Sequence, residues 1–178
     1  MSDPDSQFIA TLSVTKNCRW KACEQPTYEG AEVSSGKLEL DEGLAIIRFH
    51  SGALLTLEGP ASIILLDKMH CFIEYGKLTA DIPPEAIGFS VKNQYGTVVD
   101  FGTKFGINAL KDSGVEVEVF DGIVELRHTT SDNSLELFTG QGGLFENKGI
   151  TMSKSQREST DFTKPPASTE PPLFLSST

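Results

Sequence analysis

Between Gly36 and Gly122 the chain never runs far without a glycine, and the intervals read as strands. Gly36, Gly43, Gly52, Gly59, Gly76, Gly88, Gly96, Gly102, Gly106, Gly114 and Gly122 separate short runs rich in Val, Ile, Leu, Phe and Thr. Runs of that length and composition, bounded by turn residues, are strand signals. No segment sustains the 3.6-residue apolar period of an amphipathic helix. Val115, Val117 and Val119 alternate with Glu116 and Glu118, and Leu135 and Leu137 flank Glu136. Such alternation buries one face and wets the other. The chain is therefore expected to be all-β.

Three glycine-led units repeat the pattern: Gly36-Lys-Leu-Glu-Leu40, Gly76-Lys-Leu-Thr-Ala80 and Gly122-Ile-Val-Glu-Leu126. Stacked units of this kind predict two facing sheets, as in a β-solenoid or β-roll. A jelly roll or Greek-key sandwich satisfies the same periodicity. Glu58-Gly59-Pro60 reads as a rigid turn. Trp20, the only tryptophan, is expected to cap the end of the core.

A length of 178 residues holds one domain with tails. Residues 1–30 are expected to form an N-terminal strand (7–15) and a loop with Cys18, Trp20 and Cys23, leading into a β domain at 31–152. Residues 153–178 are rich in Ser, Thr and Pro and bury too little apolar surface to offset their ordering entropy. They are expected to be a disordered tail or linker.

The formal net charge is −10, and Lys and Arg form no cluster. Nucleic acid and anionic membrane surfaces both require basic patches, so neither is an expected partner. No apolar run approaches the ~18 residues that cross a bilayer, and the acidic start lacks the form of a signal peptide. Any membrane anchor is expected to lie outside this sequence. The three cysteines leave at least one unpaired. Cys18 and Cys23 could close a small disulfide loop in an oxidising compartment or stand as free thiols; zinc would want a second Cys/His pair, which is missing.

No residue set points to chemistry. Gly102-Thr103-Lys104-Phe105-Gly106 lacks the spacing of a phosphate loop and no amphipathic helix follows it. Gly102 is instead expected to supply a positive φ or a close backbone approach, with Phe105 in the core. Asp100, Asp121, Glu116, Glu118 and Glu125 could be taken for a glycosidase-like carboxylate pair, but most alternate with buried valines and so read as a solvated face. His50, His70 and His128 are isolated, and there is no nucleophile elbow. No catalytic residue, cofactor or metal is expected. An acidic face at Glu116, Glu118 and Glu125 is the candidate interaction surface, suited to a partner bearing Lys or Arg.

Four motifs taken together resemble the FecR domain: Phe89-Ser90-Val91; Gly102-Thr103-Lys104-Phe105; Val117-x-Val119-x-x-Gly122-x-Val124; and Leu137-x-x-Gly140-Gln141. Upstream, Ile47-Arg48-Phe49, Ser51-Gly52-Ala53, Leu57-Glu58-Gly59-Pro60-Ala61 and Gly76-Lys77-Leu78-Thr79-Ala80 resemble the version found in planctomycete-type bacteria. The resemblance spans residues 31–145. It departs at Asn93-Gln94, where that version has Thr-Pro, and at Lys104, where it has Glu. It implies a non-enzymatic, all-β extracytoplasmic domain of a regulator acting on cell-surface-signalling sigma factors. Such an anti-sigma factor would be periplasmic or otherwise extracytoplasmic, and membrane-anchored when whole. A protein partner in the cell envelope follows; a ligand- or glycan-binding domain of a multidomain surface protein is the alternative. The structural motif residues are Gly102, Thr103, Phe105, Gly122, Val124 and Gly140.

Overall fold

A computed structural model of the protein describes residues 7–153. The segment expected to be a tail or linker lies, from residue 154 onward, outside the described residues. The strands are β1 (Phe8–Trp20), β2 (Glu32–Ser34), β3 (Gly36–Phe49), β4 (Leu54–Asp67), β5 (His70–Asp81), β6 (Ser90–Asn93), β7 (Gly96–Asp100), β8 (Lys104–Leu110), β9 (Gly114–Asp121), β10 (Ile123–His128), β11 (Ser134–Phe138), β12 (Gly142–Glu146) and β13 (Gly149–Ser153). A 3-10 turn lies at Pro84–Ala86. The protein is all-β, as the alternation predicts.

All 13 strands belong to one sheet that forks at β5. The first part of β5 (His70, Cys71, Phe72) pairs in parallel with β6, and the last part (Gly76 to Asp81) pairs antiparallel with β8. One branch continues as β6-β7-β10-β11 and the other as β8-β9-β12-β13. The long strands bend at the same level. Register shifts fall between Lys16 and Arg19 in β1, between Leu40 and Leu44 in β3, and between Glu58 and Ser62 in β4. Each long strand thereby gives one half to each of two layers.

The layers face one another across a single apolar core. A β-carbon on Gly143 of β12 would lie against Leu126 and Leu137 of the opposite branch, and one on Gly96 of β7 would meet Phe145. Phe49 and Phe89 meet edge to face with ring centroids 4.8 Å apart. Phe49, Phe89, Phe105 and Phe145 are fully enclosed. Each such ring contributes roughly 1.5–3 kcal/mol over an exposed one.

Three expectations need correction. Glu58-Gly59-Pro60 is not a turn: it lies inside β4, with the Gly59–Pro60 bond cis. The sequence also suggests that each glycine ends a strand, whereas Gly43, Gly59 and Gly76 sit inside strands of 12 to 14 residues. The reason is close approach at the bend. A β-carbon on Gly76 would collide with Ala61, so only glycine lets the folded-over backbones touch. β1 likewise runs on into the expected loop as far as Trp20, because Arg19 and Trp20 pair with Glu42 and Leu40 of β3, while Cys23 stays in the loop. Trp20 is half-buried and packs on the core. The cysteines are free thiols: Cys18 half-buried, Cys23 exposed and Cys71 buried.

Candidate functional site

The bends and the layer crossovers lie at opposite ends of the sandwich. At the bend end the long strands fold over, and hairpins close within each layer. At the other end the chain passes between layers four times: after β5 through the 3-10 turn, after β7 through Phe101–Thr103, after β9 through Gly122, and after β11 through residues 139–141. The motif residues collect at these crossovers. Gly102, Gly122 and Gly140 have φ of 91°, 107° and 84°, in the region that favours glycine.

Their mutual contacts make one polar knot. Asp100 is wholly buried, and its Oδ2 accepts a hydrogen bond from the Gly102 N–H at 2.9 Å. Its Oδ1 is enclosed without a hydrogen bond of good geometry, and burial raises the carboxyl above its ordinary value. The Thr103 hydroxyl, also buried, donates to the Ile123 carbonyl at 2.6 Å. That carbonyl also accepts from the Phe101 N–H at 3.1 Å. The Ile82 N–H donates to the Thr103 carbonyl at 2.9 Å, tying in the first crossover. A β-carbon on Gly122 would collide with the Gly102 carbonyl. The Gly122 N–H donates to Thr139 Oγ1 at 2.9 Å, and the Gly140 N–H donates to the Val119 carbonyl at 2.8 Å. Phe105 and Val124 anchor the knot from the core, both fully buried.

Above this knot lies an apolar row that the sequence reading did not single out. Ile123 pairs with Phe138 and bonds Phe101. Their inward neighbours Asp100, Val124 and Leu137 are buried, so the three side chains point outward. Phe101 is 45% exposed and Phe138 47%. Ile87, also exposed, lies within van der Waals reach of where a Gly102 β-carbon would be. The only sequence signal was negative: Phe101 and Phe138 break the rule that alternation puts polar residues outside.

The fold divides the predicted acidic face. Glu116 and Glu118 lie on β9, in the layer of β8 and β12, whereas Glu125 lies on β10 in the opposite layer. The cause is the Gly122 crossover, which moves the chain from one layer to the other between them. Glu125 is held by Arg127 at 2.7 Å and stands directly opposite Glu136 on β11. It therefore flanks the apolar row, two pairs along from Ile123 and Phe138 and on the same face.

No protein-family model and no curated protein matches the sequence. Solved structures do. Two crystal structures of a putative anti-sigma factor from Parabacteroides distasonis are similar, each at 17% identity. Their TM-scores are 0.58 and 0.59, over 68% and 70% of this chain. The protein has their fold. At this identity the likeness is one of fold alone, and the chain spans about 62% of the length of those proteins.

Among the described residues no group of three or more His, Cys, Asp or Glu is placed to hold a metal ion. No helix among them is long and apolar enough to cross a membrane. Of the carboxylates weighed as a catalytic pair, Asp100 is consumed by its turn and Glu125 by Arg127. His128 is bonded on both ring nitrogens, through Nε2 to the Glu146 carbonyl at 2.7 Å and through Nδ1 to the Ser131 N–H at 3.2 Å. It pins the β10–β11 hairpin to β12.

Proposed function

We propose that the protein is the non-catalytic extracytoplasmic interaction domain of a FecR-type regulator of a sigma factor. The observation that carries this reading is the convergence of the motif residues on the crossover end. Gly102, Thr103, Gly122 and Gly140 are spent on bracing turns, and what those turns present outward is an apolar row beside carboxylates. Exposed apolar side chains grouped on a rigid sheet mark a contact surface rather than a reaction centre. Fold likeness to a putative anti-sigma factor supports the same direction.

The partner is a protein of the cell envelope with a basic contact surface, and its association weakens as salt rises. The test is a reporter of sigma-dependent transcription in cells making the intact regulator or a form lacking residues 7–153. The expected result is loss of the response to the inducing signal; an unchanged response would sink the proposal. Localisation is read separately, by labelling the exposed Cys23 with a membrane-impermeant maleimide in spheroplasts. Labelling only after lysis would place the domain on the cytoplasmic side and overturn the extracytoplasmic assignment.

A further inference from the structure

Strand β11 has a neighbour on one side only; among the described residues it pairs with β10 alone. The bond from the Phe101 N–H to the Ile123 carbonyl shows which way β10 alternates. Its odd-numbered residues bond toward β7 and its even-numbered ones toward β11. In β11, therefore, Leu135 and Leu137 bond to β10, while the amides and carbonyls of Ser134 and Glu136 point away from the sheet. Phe138 points the same way but is already engaged. Its N–H donates to Gln141 Oε1 at 2.9 Å, and its carbonyl accepts from the Gln141 N–H at 2.9 Å. Gln141 thus closes one end of the edge and leaves Ser134 and Glu136 open.

The side chains along that edge specify what fits it. On the outer face Phe138 ends the apolar row. Next to it stands Glu136, opposite the like-charged Glu125, whose own counter-ion is Arg127. Like charges directly across a strand pair are unfavourable, so Glu136 is the position where an added cation gains most. On the inner face Met152 of β13 pairs with Gly143, which faces Leu126 and Leu137, yet Met152 is 54% exposed. It lies past the cover of β11, where one more strand would shield it.

We propose that β11 accepts an extended strand from another protein, carrying Lys or Arg opposite Glu136 and apolar residues beside Phe138 and over Met152. This rests on the interaction-domain reading above and gives that surface its mode of binding. Strand addition supplies affinity through main-chain bonds and specificity through alternate side chains. A second copy of this chain is a poor occupant, because a net charge of −10 sets two such molecules against each other.

The test uses the full chain and an acetylated peptide of alternating Val and Lys with a single Phe, beside its Glu-for-Lys counterpart. Binding is followed by fluorescence anisotropy, and the Ser134 and Glu136 amides by hydrogen exchange. The Lys peptide should bind about 10-fold tighter than the Glu peptide and slow exchange at both amides. Glu136→Pro removes an outward-facing N–H, which an edge strand tolerates, together with the carboxylate that receives the cation, and should abolish binding with the fold intact. Phe138→Ser, leaving the backbone edge unchanged, should weaken it about 5-fold. The proposal is overturned by equal binding of the two peptides, or by binding that survives Glu136→Pro. It is also overturned if the edge amides are already protected without peptide. Protection that rises with protein concentration would show a second copy there, and protection lost on removing residues 154–178 would show the chain's own segment. If the transcriptional response persists in Glu136→Pro, the edge is not the signalling contact although the interaction reading stands. Peptide binding alongside an unchanged response to deleting residues 7–153 would sink that reading while leaving the edge in place.

Discussion

At the scale of single residues, the crossover knot concentrates the cost of substitution. Gly102 and Gly122 both have positive φ, but their surroundings differ. A β-carbon at Gly102 would have ordinary contact with Ile87, while one at Gly122 would overlap the Gly102 carbonyl. Gly102→Ala should then cost roughly 1–2 kcal/mol of backbone strain, and Gly122→Ala clearly more, above ~3 kcal/mol. Chemical denaturation of the two variants measures the order, and equal costs would contradict the crowding. Thr103→Val removes the hydroxyl bond to Ile123 but leaves that carbonyl the Phe101 N–H, so about 1 kcal/mol is expected. Asp100 has a pH signature. Its carboxyl is raised by burial, so ionising it opposes folding; the penalty is absent below the unfolded value and grows as pH rises through the folded one. Asn keeps the acceptor for the Gly102 N–H without the charge. The stability of Asp100→Asn relative to the parent should therefore improve as pH is raised from 3 toward 7. A flat difference would refute the buried-charge account. The surface carboxylates Glu39, lowered by Tyr75 and Lys21, and Glu74, lowered by Ser62 and Lys37, work in the opposite sense. Their contribution is lost as pH falls through their folded values, which is why the variant must be compared with the parent at each pH.

At the scale of elements, bends and crossovers do different work. The bends keep backbone hydrogen bonding across two layers without interrupting β3, β4 or β5, and the crossovers re-aim the shorter strands. Glycine serves both, which is why glycine spacing suggested strand ends that are not there. Parity follows from the same alternation. Leu135 and Leu137 bond inward to β10, whereas Ser134 and Glu136 face outward at the open edge. Native-state hydrogen exchange should show an odd–even pattern along β11, slow at Leu135 and Leu137 and fast at Ser134 and Glu136. Uniform protection along β11 would mean the edge is covered. The acidic face illustrates the limit of reading a face from its residues. The spacing of Glu118 and Glu125 places them on one face, yet the chain crosses the core at Gly122 between them.

At the scale of the whole molecule, two layers share four bent strands and one core, so opening any part exposes the rest. Cys71 reports this. It is buried on β5 near the fork, pairs with Val91, and burial raises its thiol far above the ordinary value. A thiol reagent should react with Cys23 at once and with Cys18 more slowly, and with Cys71 only at the rate of global unfolding. Early reaction of Cys71 would show that the β5–β6 pairing opens by itself. The all-β class was legible in the sequence because alternation and glycine spacing are local properties of a strand. The burial of Phe105 was legible for the same reason, since it sits at a buried parity position. The fork at β5, the bend at Gly59–Pro60 and the separation of Glu116 and Glu118 from Glu125 were not. They depend on which distant strands pair, and a period of two residues says which face a side chain takes without saying which layer that face belongs to. Only tertiary pairing sets Phe101, Ile123 and Phe138 in one row above the buried Asp100, because they come from three stretches of chain that meet only when the layers close.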